Sequence, residues 1–245
     1  MSSTRIISLV PSLTELLFDL GLGSNLVGRT RFCIHPEEEI VHVPIIGGTK
    51  NPDIDKIRVL SPDFVIANKE ENRKEDIEQI ESFTKVMVTD ISTINKALYW
   101  IQKIGSTLEV RDRTITLIDR VNNELLNTPA YRPIPTAYFI WREPWMTIGK
   151  DTYIHDVMEQ FGFRNVYKNT ERYPEIAIGD LKSRNPELVL LSSEPFPFRE
   201  KHIGELHTHL PETDIQLIDG EWFSWYGSRM LPSFKNLKSF RNQLG

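Results

Sequence analysis

The sequence predicts an α/β fold of two similar lobes, each built on a parallel sheet and joined by a helix. Three observations predict it. A helix–proline–strand segment recurs 124 residues apart, from 54–70 to 178–194. Two flanking segments recur in the same order, and the stretch between the copies is rich in helix formers and free of proline. Self-similarity of several segments in the same order marks a structural unit used twice.

The elements follow in chain order. Arg5-Ile6-Ile7-Ser8-Leu9-Val10 reads as a buried strand, since a short apolar run bounded by turn signals suits a covered sheet. Residues 16–22 read as a helix closed by Gly21, and residues 157–163 as its counterpart closed by Gly162; glycine suits the left-handed cap. Apolar positions 54, 57, 64, 65 and 66 match 178, 181, 188, 189 and 190. Pro62 matches Pro186, Asp63 matches Glu187, and Glu70 matches Glu194. Each copy predicts a short helix, a proline break, a buried strand and an acidic loop after it. Residues 86–90 and 215–219 both read as strands ending in aspartate. Strands alternating with helices predict parallel sheets covered on both faces.

Residues 92–128 are predicted helical, with Gly105 a point of interruption. From Leu108, Ile115, Ile118, Val121 and Leu125 recur at spacings of three and four, so one face is buried. Thr128-Pro129 ends that helix and Arg132-Pro133-Ile134-Pro135 stiffens the entry to the next strand. The expected division is therefore residues 1–106, a strut at 107–128, and residues 129–245.

Composition excludes several classes. With 29 Lys+Arg against 34 Asp+Glu the net charge is −5, and no basic run offers a nucleic-acid footprint. Apolar runs are strand-sized, far below the roughly 20 residues that cross a bilayer. No leader pattern of charged, apolar and small residues opens the chain. The reading is cytoplasmic as written, or periplasmic or surface-anchored if a leader was removed, and monomeric. The single cysteine, Cys33, rules out an internal disulfide.

In open parallel sheets, ligands bind beyond the carboxyl ends of the strands. The segments there begin at Pro11-Ser12-Leu13, at Thr30-Arg31-Phe32-Cys33, and at Asn68-Lys69-Glu70-Glu71 in the first lobe. In the second they begin at Trp141-Arg142, at Ser192-Ser193-Glu194, and at Glu221-Trp222, the last reaching Trp225-Tyr226. Four of five tryptophans, Trp141, Trp145, Trp222 and Trp225, fall in two of these loops. Broad indole faces suit a flat, extended ligand in a cleft between the lobes; the alternative is that they pack the lobe's own core. Ser12, with Glu15 three residues on, reads as a helix cap, whose free N–H groups could also take an anionic or carbonyl group. Cys33 and His35 have a spacing able to face one side, yet two ligands are too few for a closed metal site. Whether they touch a metal is left open. His202, His207 and His209 read as solvated surface. Glu70, Glu71, Glu75, Glu194 and Glu200 read as solvated charge or as paired anionic spots for arginines of a partner. No catalytic motif of the nucleophile-elbow or nucleotide-loop kind appears.

Taken together, the residues resemble the substrate-binding proteins that serve ATP-driven importers of vitamin B12 and iron chelates, nearest the cobalamin-binding branch. The resemblance rests on residues 8–15, Gly47-Gly48-Thr49-Lys50-Asn51, residues 60–67 and Glu221-Trp222-Phe223. It implies two Rossmann-like lobes, a rigid backbone helix, and non-enzymatic binding of a corrinoid or other metal chelate, with no cofactor required. It also implies a permease partner docked by Glu200 and by Glu71 or Glu75. Ligand contacts are expected from Ser12, Leu13, Phe32, Cys33, Asn68, Glu70, Trp141, Arg142, Trp145, Glu194, Trp222, Trp225, Tyr226 and Arg229. The chain departs from the family pattern at Asn68, where cobalamin binders carry a tryptophan, and in its missing leader. That second departure motivates an alternative, an intracellular tetrapyrrole- or metal-handling enzyme or chaperone working through Cys33, His35 and Glu194. An interaction module using only the acidic spots is a third reading.

Overall fold

The computed structural model describes residues 4–244; the outer limits expected for the two lobes, residues 1 and 245, lie outside them. The chain divides into two compact units. The first comprises residues up to Ile91, Asn95–Arg120 and Tyr226–Arg229. The second comprises Ser92–Ile94, Val121–Trp225 and the residues from Met230 onward.

In the first unit β1 (Ile6–Ser8), α1 (Pro11–Asp19), β2 (Leu26–Arg29), α2 (Glu37–Ile40), α3 (Ile54–Val59), β3 (Phe64–Asn68), α4 (Lys74–Glu81) and β4 (Lys85–Thr89) follow in order. The sheet runs β2-β1-β3-β4 and every pairing is parallel. β3 is buried along its whole length, which accounts for an unbroken apolar run instead of alternation. Ile7, Leu9, Val65 and Ala67 pack with Ile57, Ile77 and Ile80 of the covering helices. Each fully buried Val or Ile contributes about 1.5–3 kcal/mol.

Residues 92–128 form two helices, α5 (Ile94–Thr107) and α6 (Arg111–Leu126), with the break just after Gly105. Thr114 lies against Gly105 where a Cβ would stand, so the glycine lets the two helices turn past one another. The division between the units falls inside α6, after Arg120.

The second unit holds β5 (Ile134–Trp141), β6 (Met146–Thr147), α7 (Tyr153–Gln160), β7 (Phe163–Asn165), α8 (Ile178–Ser183), β8 (Leu188–Ser192), α9 (Glu200–His207), β9 (Asp214–Ile218), α10 (Glu221–Ser224) and α11 (Met230–Leu244). Its sheet runs β6-β5-β8-β9 with β7 also on β5. All pairings are parallel except the β5–β6 hairpin. Buried Arg241 stitches the unit together. Its guanidinium donates to the carbonyls of Phe161 and Arg132 and lies over the Tyr131 and Phe163 rings.

The repeat holds residue for residue. α3 and β3 sit 124 positions before α8 and β8. Ser61 (φ 45°) and Asn185 (φ 46°), each just before the matching proline, share the left-handed conformation. Gly21 and Gly162, at φ 70° and 74°, close α1 and α7; β-branched residues could not take that conformation without strain. One local expectation is corrected. Ser12 does not cap α1: Val10 holds the cap position without a side-chain bond, and Pro11 occupies the first turn. Proline pre-sets the helical φ and has no N–H to orphan, so it displaces the serine inward.

Candidate functional site

Because the main strands of each sheet are parallel, their carboxyl ends lie on one edge, and the loops expected to carry function gather there. In the first unit β1 delivers the start of α1, β2 delivers 30–35, and β3 delivers 69–73. The segment Gly227–Arg229 forms a single 3-10 turn and packs on α1, with Gly227 against the Ser12 carbonyl and Leu16.

Arg229 fixes that turn. Its Nε donates to Glu15 Oε2 at 2.9 Å and its Nη2 to Glu15 Oε1 at 2.5 Å. Both side chains are mostly covered, at 20% and 15% exposed. Burial raises the Glu15 carboxyl above the usual range, and the Arg229 hydrogen bond and charge pull it down by less. Three residues earlier Tyr226 donates to Glu71 Oε1 at 3.4 Å. Tyr226 is buried and Arg229 half-buried, so both serve first to hold the segment onto this unit.

Several expected ligand contacts in the first unit are structural. Asn68 is 1% exposed: its Nδ2 donates to Thr89 Oγ1 and its Oδ1 accepts from the Glu70 N–H. A neighbouring asparagine, Asn72, accepts from the Asn68 N–H and donates to the Thr49 carbonyl. An asparagine pair therefore shapes the loop that a tryptophan occupies in the family pattern. Cys33 is fully buried; Thr14 Oγ1 donates to its Sγ at 3.1 Å, and Thr30 Oγ1 lies 3.2 Å away. Burial pushes the thiol pKa up, the opposite of what a thiolate ligand or nucleophile needs. Among the described residues no group of three or more His, Cys, Asp or Glu could hold a metal. Ser12 and Leu13 are buried as well, whereas Phe32 in the same edge is 52% exposed with Arg31 over its ring. Glu70 and Glu71 are half-buried and Glu75 exposed.

In the second unit the four tryptophans separate into two kinds. Trp145 is 8% exposed, edge-on to Phe139, stacked with Phe198 and roofed by the Arg142 guanidinium. It is a core residue, a correction to its expected place against ligand: its ring packs into the cluster of Phe139, Tyr167 and Phe198. Trp225 is also buried, and its Nε1 donates to Glu194 Oε1 at 2.9 Å. Trp141 is 40% exposed, its ring edge-on to Phe196 at 5.7 Å, and Trp222 is half-buried.

Glu194 organises the loop after β8. Ser224 Oγ donates to the same Oε1 at 2.6 Å, and the Ser193 hydroxyl accepts from the Gly220 N–H. Burial raises the Glu194 carboxyl pKa, the Ser224 and Trp225 bonds lower it, and nearby Glu221 and Asp219 raise it further. Arg142 makes a two-pronged pair with Glu205 and also meets Glu143, so it is largely committed within the unit. His202 corrects the surface reading: it is 6% exposed, with Nδ1 accepting from the Arg199 N–H and its ring against Phe196 and Phe198. Glu200 is exposed at the start of α9. Sequence reasoning missed Phe196 as the partner of Trp141, Glu205 as that of Arg142, and the Glu15–Arg229 pair 214 residues apart. Only the aromatic spacing of Phe196 and Phe198 signalled any of these in advance.

The periplasmic binding protein family matches residues 6–211. The vitamin B12-binding protein of Photorhabdus laumondii is 23% identical over 98% of this chain and 89% of its own. That of Salmonella typhimurium is 21% identical over 99% and 92%. The periplasmic vitamin B12 binding protein of Vibrio cholerae superposes with a TM-score of 0.82 at 18% identity, over 98% of this chain and 96% of that one. A periplasmic heme-binding protein from Roseiflexus sp. RS-1 superposes at 0.85 with 18% identity, over 99% of each. Among the described residues no helix is long and apolar enough to cross a membrane. A match over most of the length, on an architecture of two mainly parallel sheets, settles the class as binding, not catalysis: the chain belongs to the periplasmic binding protein family.

Proposed function

We propose that this protein binds a flat metal chelate, a corrinoid such as cobalamin or a heme-like macrocycle, as the substrate-binding component of an ABC-type importer. The observation that carries the proposal is the open aromatic surface at the strand-end loops. Trp141 backed by Phe196 and half-open Trp222 lie in one unit, and exposed Phe32 lies in the other. Each unit would offer its own strand-end loops to the ligand. Among the expected contacts, Phe32, Trp141 and Trp222 would touch it directly. Ser12, Leu13, Asn68, Trp145, Trp225 and Tyr226 would act by shaping the loops. Of the acidic residues, Glu75 and Glu200 stand exposed in the first turns of α4 and α9, which support docking onto a permease. Relatives that bind vitamin B12 and a structural neighbour that binds heme favour the macrocycle class.

The test is titration with cyanocobalamin and with hemin, followed by quenching of tryptophan fluorescence. Each ring face contributes about 0.5–1.5 kcal/mol beyond its area, so Trp141→Ala and Trp222→Ala should each weaken binding about three- to tenfold. Absence of saturable binding to either macrocycle would defeat the proposal.

A further inference from the structure

A second place in the second unit has the character of a binding site, far along the strands from the loops described above. An open groove of about 550 Å³ lies beside the starts of β5 and β8 and the end of β7, with the turn that follows it. Arg164 of β7, Lys168, Arg184, Asn169, Asn185 and Glu187 line it. Arg184 is held by Asp180 and donates to the Val166 carbonyl. Glu187 is answered from outside the groove by Arg132 at 3.0 Å. Neither Arg164 nor Lys168 meets a carboxylate partner among the described residues. With the two carboxylates each answered by an arginine, two cations are left over in a protein whose net charge is −5.

The repeat supplies an internal control. Thr136 pairs with Leu188 on β5–β8 as Ile6 pairs with Phe64 on β1–β3. Ile6 also faces Leu26 and Thr136 faces Asn165, so Arg164 stands where the first unit has Asn25. By the 124-residue offset Arg184 stands where that unit has Leu60, and Asn185 where it has Ser61. The first unit therefore completes the same fold without a cation at the positions of Arg164 and Arg184; its own cation there, Arg5 at the position of Pro135, is spent on the Leu60 and Ser61 carbonyls.

We infer that this groove is an anion site for a phosphate group. A planar guanidinium and an ammonium beside amide side chains present several donors to a multiply charged tetrahedral anion. A doubly charged phosphate matches the two uncompensated cations, whereas a single carboxylate leaves one of them unanswered. The phosphate comes either from a free monoester or from a lipid headgroup that ends in a phosphomonoester; the chemistry is shared and the experiment separates the sources. The site stands independently of the macrocycle proposal, because none of its residues belongs to the loops given that role.

The test titrates isotope-labelled full-length protein with sodium phosphate against sodium chloride of equal ionic strength and follows backbone amide shifts. Saturable shifts confined to 164–169 and 184–187, weakened about tenfold or more in Arg164→Gln/Lys168→Gln, are expected, since charged hydrogen bonds are the strong ones. Both side chains are exposed, so the variant should fold, and an unchanged melting profile checks this. Co-sedimentation with phosphatidic acid vesicles, but not phosphatidylcholine vesicles, lost in the double variant, assigns the headgroup. Phosphate binding without sedimentation assigns the free ester. Neither phosphate-specific shifts nor vesicle binding, or either one unchanged in the double variant, overturns the inference.

Discussion

Replacing Glu194 by alanine tests whether this carboxylate holds the loop after β8 and the end of α10 together. One oxygen of Glu194 receives two donors, Ser224 Oγ at 2.6 Å and Trp225 Nε1 at 2.9 Å. Ser224 keeps a second acceptor, the Gly220 carbonyl at 2.9 Å, so its loss is small. Trp225 is buried and loses this acceptor, which costs about 1–3 kcal/mol. Glu194→Ala should therefore lower unfolding stability by about 2 kcal/mol in urea titrations. Glu194→Gln retains an acceptor in the same place and removes a buried charge, so it should be neutral or stabilising at neutral pH. The sign follows from the raised carboxyl pKa. The folded state holds its proton more tightly than the unfolded one, so stability is lost as pH rises through the folded value. The glutamine variant should lack that decline. A double-mutant cycle of Glu194→Ala with Trp225→Phe should show coupling of about 1 kcal/mol. Additivity within about 0.3 kcal/mol, together with an unchanged Trp225 emission, would refute the role given to Glu194.

Three further outcomes follow from the same reasoning. Trp145→Ala should cost about 3–5 kcal/mol by opening a cavity between Phe139 and Phe198, measured by chemical denaturation. Arg229→Met should cost about 3 kcal/mol by leaving a covered carboxylate without its partner. That loss should shrink as pH falls, because a protonated Glu15 needs no cation, and adding Glu15→Gln should restore most of it. Native Cys33 should resist alkylation by iodoacetamide and react only in denaturant, since its thiol is enclosed and its pKa is raised; rapid labelling of the folded protein would show the loop opens.

The two-sheet architecture was legible because it is written twice. Phe64–Asn68 and Leu188–Ser192 are continuous apolar runs with the same proline two residues upstream, a pattern read without knowledge of any contact. Gly21 and Gly162 were legible because a left-handed cap admits few other residues. The site was less so. Whether an indole lies on a surface or under it depends on which way a hairpin folds, and Trp141 and Trp145 are four residues apart on the β5–β6 hairpin with opposite fates. Asn68 and His202 look solvated as residue types and are buried because partners supplied by Thr89 and Arg199 satisfy them. Ser12 misled for a local reason: the proline before it took the first helical turn.

The short turn at Tyr226–Arg229 changes what the duplication means for the protein as it exists. The chain leaves the second unit for only those four residues, supplies an arginine to Glu15 and a phenol to Glu71, and then returns to build α11. A gene cut between the two halves would yield an amino-terminal piece that lacks its own last contribution. Its Glu15 would be left stranded on a face meant to be covered. Each unit is completed by a short piece of chain from the other half of the sequence, and neither is an independent module to be grafted or expressed alone.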